Sequence, residues 1–103
     1  MKESEIQSKM IRYLEKQGYL VVKIIQTTKN GWPDIQAHKD GQTIFIEVKI
    51  PNGKISELQH YRHQQLRKQN FKVIISSSLT QLQNELTAIS QELHIQRTVS
   101  NSN

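Results

Sequence analysis

A small α/β domain, a mixed sheet with helices packed on it in the order α-β-β-β-α-β-α, is the architecture this sequence predicts. Three kinds of observation predict it. Some segments carry apolar residues at three- and four-residue steps, the period of an amphipathic helix. Others are short, β-branched and bounded by turn residues, as strands are. The last two strand segments flank a helical one, which is what a parallel crossover needs. At 103 residues the chain suffices for one such domain, not two.

The elements follow in order. Ser4 to Gln17 repeats Ile6, Met10, Tyr13, Leu14 and Gln17 along one helical face, and Gly18 follows as a natural residue beyond a helix end. "YLVVKII", Tyr19 to Ile25, is β-branched and apolar and predicts a buried strand. "QTTKNGWP" is polar and contains glycine, so it predicts an exposed loop. "DIQAH" (34–38) and "TIFIEVK" (43–49) flank "KDGQ", and Asp-Gly between two strand-like runs predicts a hairpin. After the turn "PNGK", Ser56 to Gln69 predicts a second helix with Leu58, Tyr61, Gln65 and Leu66 on one side. "FKVIIS", Phe71 to Ser76, is a fourth strand. Leu79, Leu82, Leu86, Ile89 and Leu93 predict a third helix, with a core stripe that could also pack against a second copy. The domain is expected to span residues 1–94, with 95–103 a polar C-terminal tail.

Composition narrows the function classes. The absence of cysteine removes disulfide frameworks and thiolate zinc sites, and it suits a reducing cytoplasm. No apolar run approaches the ~20 residues needed to cross a bilayer, and "MKESEIQSK" has no signal-peptide core. The net charge of +5 favours a polyanionic partner.

The charges within the third strand segment carry the chemistry. Side chains alternate along a strand, so Glu47 and Lys49 share one face with Phe45, while Ile46, Val48 and Ile50 point to the other. Asp34 stands at the start of the preceding strand, behind Gly31-Trp32-Pro33. If the two strands pair about Asp40-Gly41, Asp34 comes close to Glu47 and Lys49, and two carboxylates and an ammonium converge at one edge of the sheet. Neighbouring carboxylates repel, and a cation resolves the repulsion. Oxygen ligands without cysteine favour Mg²⁺ or Mn²⁺. A divalent cation beside a lysine is an outline of phosphodiester hydrolysis.

"GWPD" (31–34) followed by "IEVK" (46–49) looks like the PD-(D/E)xK nuclease signature. With the N-terminal "ESEIQ", the following "IPNGKIS" and Gln59, the pattern resembles the VRR-NUC family over roughly residues 3 to 87. That resemblance implies a restriction-endonuclease-like PD-(D/E)xK core and a metal-dependent, structure-selective DNA endonuclease, similar to Holliday-junction resolvases. It implies a homodimer acting on branched or structured DNA, in the cytoplasm of a bacterial or phage-infected cell. Asp34 and Glu47 match the metal-binding carboxylates, and the Val48 carbonyl is the third protein ligand the resemblance implies. Lys49 matches the lysine that orients or activates the attacking water, and Gln59 the glutamine that supports the site or the scissile phosphate. Glu3, with Gln7 one turn on, fits the first-helix E-x-x-x-Q pattern, with Glu5 as its competitor. Lys29, Trp32, Lys54, Arg62, His63 and Arg67 are candidates for DNA contact.

Plainer readings stand beside these. Glu47 and Lys49 alone would suit a surface ion pair. Ser56-Glu57-Leu58-Gln59 and Ser4-Glu5-Ile6-Gln7 both fit a helix capping box, which would explain each glutamine. His60 and His63 have a spacing that could hold a metal but lack a third partner, and with Arg62, Arg67 and Lys68 they fit a polar helix face. Trp32 could stack on a base or pack beneath its loop. The alternative function is a module on the same fold that binds DNA or a nuclease partner without catalysis.

Overall fold

A computed structural model describes the backbone of residues 1–101 and the side chains of residues 1–92. The elements are α1 (Glu3–Lys16), β1 (Leu20–Lys23), β2 (Ile35–Lys39), β3 (Gln42–Val48), α2 (Glu57–Lys68), β4 (Lys72–Ser76) and α3 (Leu79–Asn101), in the predicted order. The strands form one sheet in the order β1-β2-β3-β4. The first three are antiparallel neighbours, and β4 lies parallel to β3 after the crossover through α2. Asp40 and Gly41 close the β2–β3 hairpin with φ of 52° and 77°. Both positive values match a type I′ turn, whose twist suits the flanking strands.

Strand alternation sorts the sheet into two faces. Val21, Ile35, Ala37, Ile44, Ile46, Val48 and Ile74 join Ile6, Met10 and Leu14 of α1 and Leu82 and Leu86 of α3 in one core. The opposite face carries Phe45, Glu47 and Val73 beneath α2, whose inward residues are His63 and Leu66. Phe45 meets Trp32 and Phe71 edge-on, at 5.6 Å and 5.3 Å between ring centroids.

Three expectations need correction. The first strand is not buried: Leu20 is 69% exposed, Val22 is also exposed, and Ile25 lies beyond the strand at 90%. As an edge strand, β1 lays only Val21 against the core, and α2 does not extend over its other face. Ile50 does not anchor the third strand with Ile46 and Val48, because pairing ends at Val48 and Ile50 turns into solvent before Pro51. Of the side expected for α2, Leu66 is buried and Gln65 half-buried, but Leu58 and Tyr61 are exposed, and His63 is the other buried residue, with Gln59 half-buried one turn before it. A count of apolar letters misplaces that face because the side chain it buries most completely is a histidine. α3 continues past the expected end near Leu93, in keeping with the absence of glycine and proline from 79–101. The Leu93 side chain and those of the 95–103 tail lie outside the described residues. Among the described residues no helix is long and apolar enough to cross a membrane.

The burial pattern sets two stabilities apart. Leu82→Ala should cost about 2–5 kcal/mol in chemical denaturation, as an unfilled cavity between α1, α3 and the sheet requires. Leu20→Ser, on the exposed face of β1, should leave the unfolding free energy within about 0.5 kcal/mol of the parent.

Candidate active site

The β2–β3 register aligns Ile35 with Ile46, so the next step along the ladder sets Asp34 opposite Glu47. Asp34 is held from both sides. Its carbonyl accepts the Ile24 N–H at 2.8 Å, and its Oδ2 accepts the Val48 N–H at 2.8 Å. The second bond binds the Asp34 carboxylate to the end of β3 across the hairpin.

The loop before Asp34 is fixed as firmly. Pro33 is fully buried. Gly31 has φ of +81°, and a Cβ there would stand 3.0 Å from the Leu58 backbone carbon and oxygen. Only glycine lets the loop lie this close to α2 in this conformation. Arg62 adds a tether, donating from Nε to the Asn30 carbonyl at 2.8 Å.

Glu47 is the centre of the arrangement, with 1% of its surface exposed inside the sheet. Its Oε1 lies 3.0 Å from Nε2 of His63, and its Oε2 is 3.4 Å from Nε2 of Gln59. Gln59 caps α2 and also lies next to Glu47. Its Oε1 accepts the Ser56 N–H at 2.9 Å, completing a capping box, and this turns its amide nitrogen toward Glu47. The helix cap is therefore also the device that aims Gln59 at the carboxylate.

The electrostatics follow from this packing. Burial, then hydrogen bonding to Asp34 and repulsion by its charge, pushes the Glu47 carboxyl up to about 9, while Lys49 opposes the rise and Glu3 adds to it. Burial and then the nearby Arg67 and His60 lower His63 to about 4, so the imidazole is neutral at pH 7. Lys49 is half-buried just beyond β3, where its N–H donates to the Ser76 carbonyl at 3.0 Å. Among the described residues its ammonium forms no salt bridge, nor do Arg or Lys side chains contact Asp34 or Glu47. Instead of a plain surface ion pair there is a buried carboxyl that, among the described residues, forms no salt bridge with a lysine or arginine.

The first helix distinguishes its two acids. Glu5 is exposed, whereas Glu3 is half-buried and its charge acts on Glu47. Gln7 is buried one turn later. Its capping-box reading fails, since α1 is capped at Lys2 without a side-chain bond. Thus α1, β2, β3 and α2 each direct a polar residue toward one end of the sheet.

Other candidates are distributed differently. His63 is not on the polar face of α2: it is fully buried against Glu47, so it cannot meet a phosphate at the surface. Its position in the α2 core stripe, four residues after Gln59, is the signal the letters contained. Trp32 is half-buried against Phe45, which is the packing reading of that residue. Lys29 and Lys54 are exposed. Arg67 donates to the Val73 carbonyl at 3.2 Å and lines a recess with Gly41, Gln42 and Thr43, at the end of β3 opposite Glu47.

The donor chemistry fits a hard divalent cation. Among the described residues no three His, Cys, Asp or Glu side chains assemble a complete ligand set. Two carboxylates do converge, and burial together with the neighbouring Asp34 raises the pKa of Glu47. Magnesium commonly takes one or two carboxylates from a protein and fills its remaining positions with water and substrate oxygens.

Comparison with known proteins bears on the fold. No protein-family profile matches the sequence, and no curated protein is similar to it. Solved structures do match. A VRR_NUC domain superposes with a TM-score of 0.74 at 28% identity, over 82% of this chain and 94% of that one. A VRR_NUC domain protein gives 0.71 at 15% identity, over 84% and 86%. The chain is an α/β protein with the VRR-NUC fold, that of a nuclease-like domain. The motif resemblance and the backbone therefore agree.

Two outcomes test the site's construction. Gly31→Ala should lower stability by about 1–3 kcal/mol in urea titration, from strain at positive φ and the clash with Leu58. The pH dependence follows from the two shifted groups. Glu47, raised from 4.5 to about 9, contributes stability at low pH that is lost as pH rises toward 9. His63, lowered from 6.5 to about 4, contributes stability at high pH that is lost as pH falls from 6.5 toward 4. The two offset each other between 4.5 and 6.5, so Glu47 acts alone above that. Without divalent cations the Tm contribution of this site should fall between pH 6.5 and 9. Glu47→Gln should remove that fall in a series of melting curves.

Proposed function

We propose that this chain is a Mg²⁺- or Mn²⁺-dependent nuclease that hydrolyses the phosphodiester backbone of DNA. The observation that carries the reading is the convergence of Asp34 and Glu47 near Lys49, where among the described residues neither acid forms a Lys or Arg salt bridge and Lys49 forms none. The VRR-NUC fold and the basic balance of the chain support it.

In this reading Asp34, Glu47 and the Val48 carbonyl would hold the cation, with Glu3 contributing from α1. A cation held there would supply Lewis acidity, stabilising charge on the phosphate and lowering the pKa of the attacking water toward neutrality. Lys49 orients that water in line with the bond to the leaving oxygen. Its ammonium also offsets negative charge that grows on the phosphate oxygens as the P–O bond breaks. Gln59 keeps the Glu47 carboxylate turned toward the site. Phosphate contacts from the surrounding lysines and arginines make binding dependent on salt. A two-fold homodimer with paired sites would suit branched or structured DNA, since so small a domain has little surface with which to read a base sequence. The reading places the protein in the cytoplasm of a bacterial or phage-infected cell.

Labelled four-way junctions, flaps and plain duplex, each offered with Mg²⁺, Mn²⁺ or EDTA, test this. Cleavage is expected with either metal and none with EDTA. Asp34→Ala and Glu47→Ala should abolish it, and Lys49→Ala should reduce the rate by about 10²-fold or more. Cleavage that persists in the carboxylate variants overturns the site, and DNA binding without cleavage under every metal shows a binding module instead.

A further inference from the structure

His63 occupies a place on α2 where an apolar side chain would be the simpler choice. It lies one turn before the buried Leu66, and none of its surface is exposed. Its Nε2 is 3.0 Å from Oε1 of Glu47, while Nδ1 is the buried side-chain atom among the described residues that has no hydrogen-bond partner. Leaving a buried polar atom unpaired costs about 1–3 kcal/mol. A residue chosen only for packing would avoid that loss.

The geometry indicates a use for the other ring nitrogen. With a cation bound, Glu47 is ionised and can only accept hydrogen bonds, so in that state Nε2 carries the proton and Nδ1 is left as a lone pair. Nε2–H then fixes Oε1 from the α2 side, and Gln59 lies 3.4 Å from Oε2. Each carboxylate oxygen retains a further lone-pair direction. Rotation of the carboxylate about its terminal bond would break the His63 bond. We infer that His63 is a positioning residue: it locks the Glu47 carboxylate in the orientation that receives the divalent cation.

This inference rests on the metal-dependent reading of the site and concerns a residue outside the proposed ligand set. The surrounding geometry supports a directional role. Asp34 is locked by the Val48 N–H, and Gln59 is locked by the helix cap. Among the described residues no backbone N–H donates to the Glu47 carboxylate, and the His63 side chain supplies a donor from the facing helix. Partners that orient a ligating group typically change metal affinity by about 10–100-fold when removed.

Calorimetric titration of Mn²⁺ into the full chain tests the inference without relying on DNA cleavage. His63→Leu and His63→Met remove the donor while filling the space, and His63→Gln restores a donor. Circular dichroism and melting curves in EDTA establish that each variant is folded. The expected result is Mn²⁺ binding weakened about 10–100-fold in the Leu and Met variants, with the Gln variant recovering most of the loss. If either donorless variant is folded and binds Mn²⁺ as the parent does, the positioning role is overturned while the metal site stands. If the Gln variant is as weak as the Leu and Met variants, the donor is not what matters and the role is likewise overturned. If the parent shows no Mn²⁺ binding that Glu47→Ala removes, the metal-dependent reading fails and the inference fails with it.

Discussion

Everything near the functional end of this fold depends on the burial of one acid, Glu47, near the C-terminal end of a largely apolar strand. Stripping water from a carboxylate is expensive, and the usual compensation is an arginine or lysine in contact. Here the neighbours are a second carboxylate, an imidazole and an amide. Two of those are neutral and one repels. The protein meets the cost by holding a proton on Glu47, and the same environment would favour exchange of that proton for a cation.

The scaffold explains how so small a chain can tolerate such a centre. Ile46 and Val48 flank Glu47 and are wholly buried in the opposite core, so the strand is anchored while its charged face is not. The hairpin turn fixes the β2–β3 register, and a shift of one residue would turn Glu47 into the apolar core. Asp34 reaches its place only because Gly31 lets the preceding loop press against α2. Rigid elements thus supply each side chain, which is how a site maintains its geometry without a bound ligand.

Gln59 shows why competing readings of one letter need not exclude each other. Its oxygen caps α2 and its nitrogen faces Glu47, so a residue that stabilises the helix also aims at the site. His63 shows the reverse case. Grouped with the nearby arginines it resembled part of a charged surface, but the helix turns it inward, and the exposed position belongs to Tyr61. The difference lies in which side of α2 meets the sheet, a matter that weak apolar periodicity in "ELQHYRHQQLRK" could not settle.

The sequence by itself determined the element order, the Asp-Gly hairpin, the parallel crossover and the pairing of Asp34 with Glu47. These are local or nearly local: turn chemistry sets the register, and alternation sets the face. The nuclease-like fold was expected on a different ground, the resemblance of "GWPD" and "IEVK" to a known family signature. Only the tertiary structure decided that β1 is an exposed edge, that Glu3 and not Glu5 faces the site, and that His63 bears on Glu47. Those outcomes depend on which neighbour covers which face, and a residue's own letters do not record what packs against it. A buried strand and an uncovered edge can share the same β-branched composition, and a buried histidine is written like an exposed one.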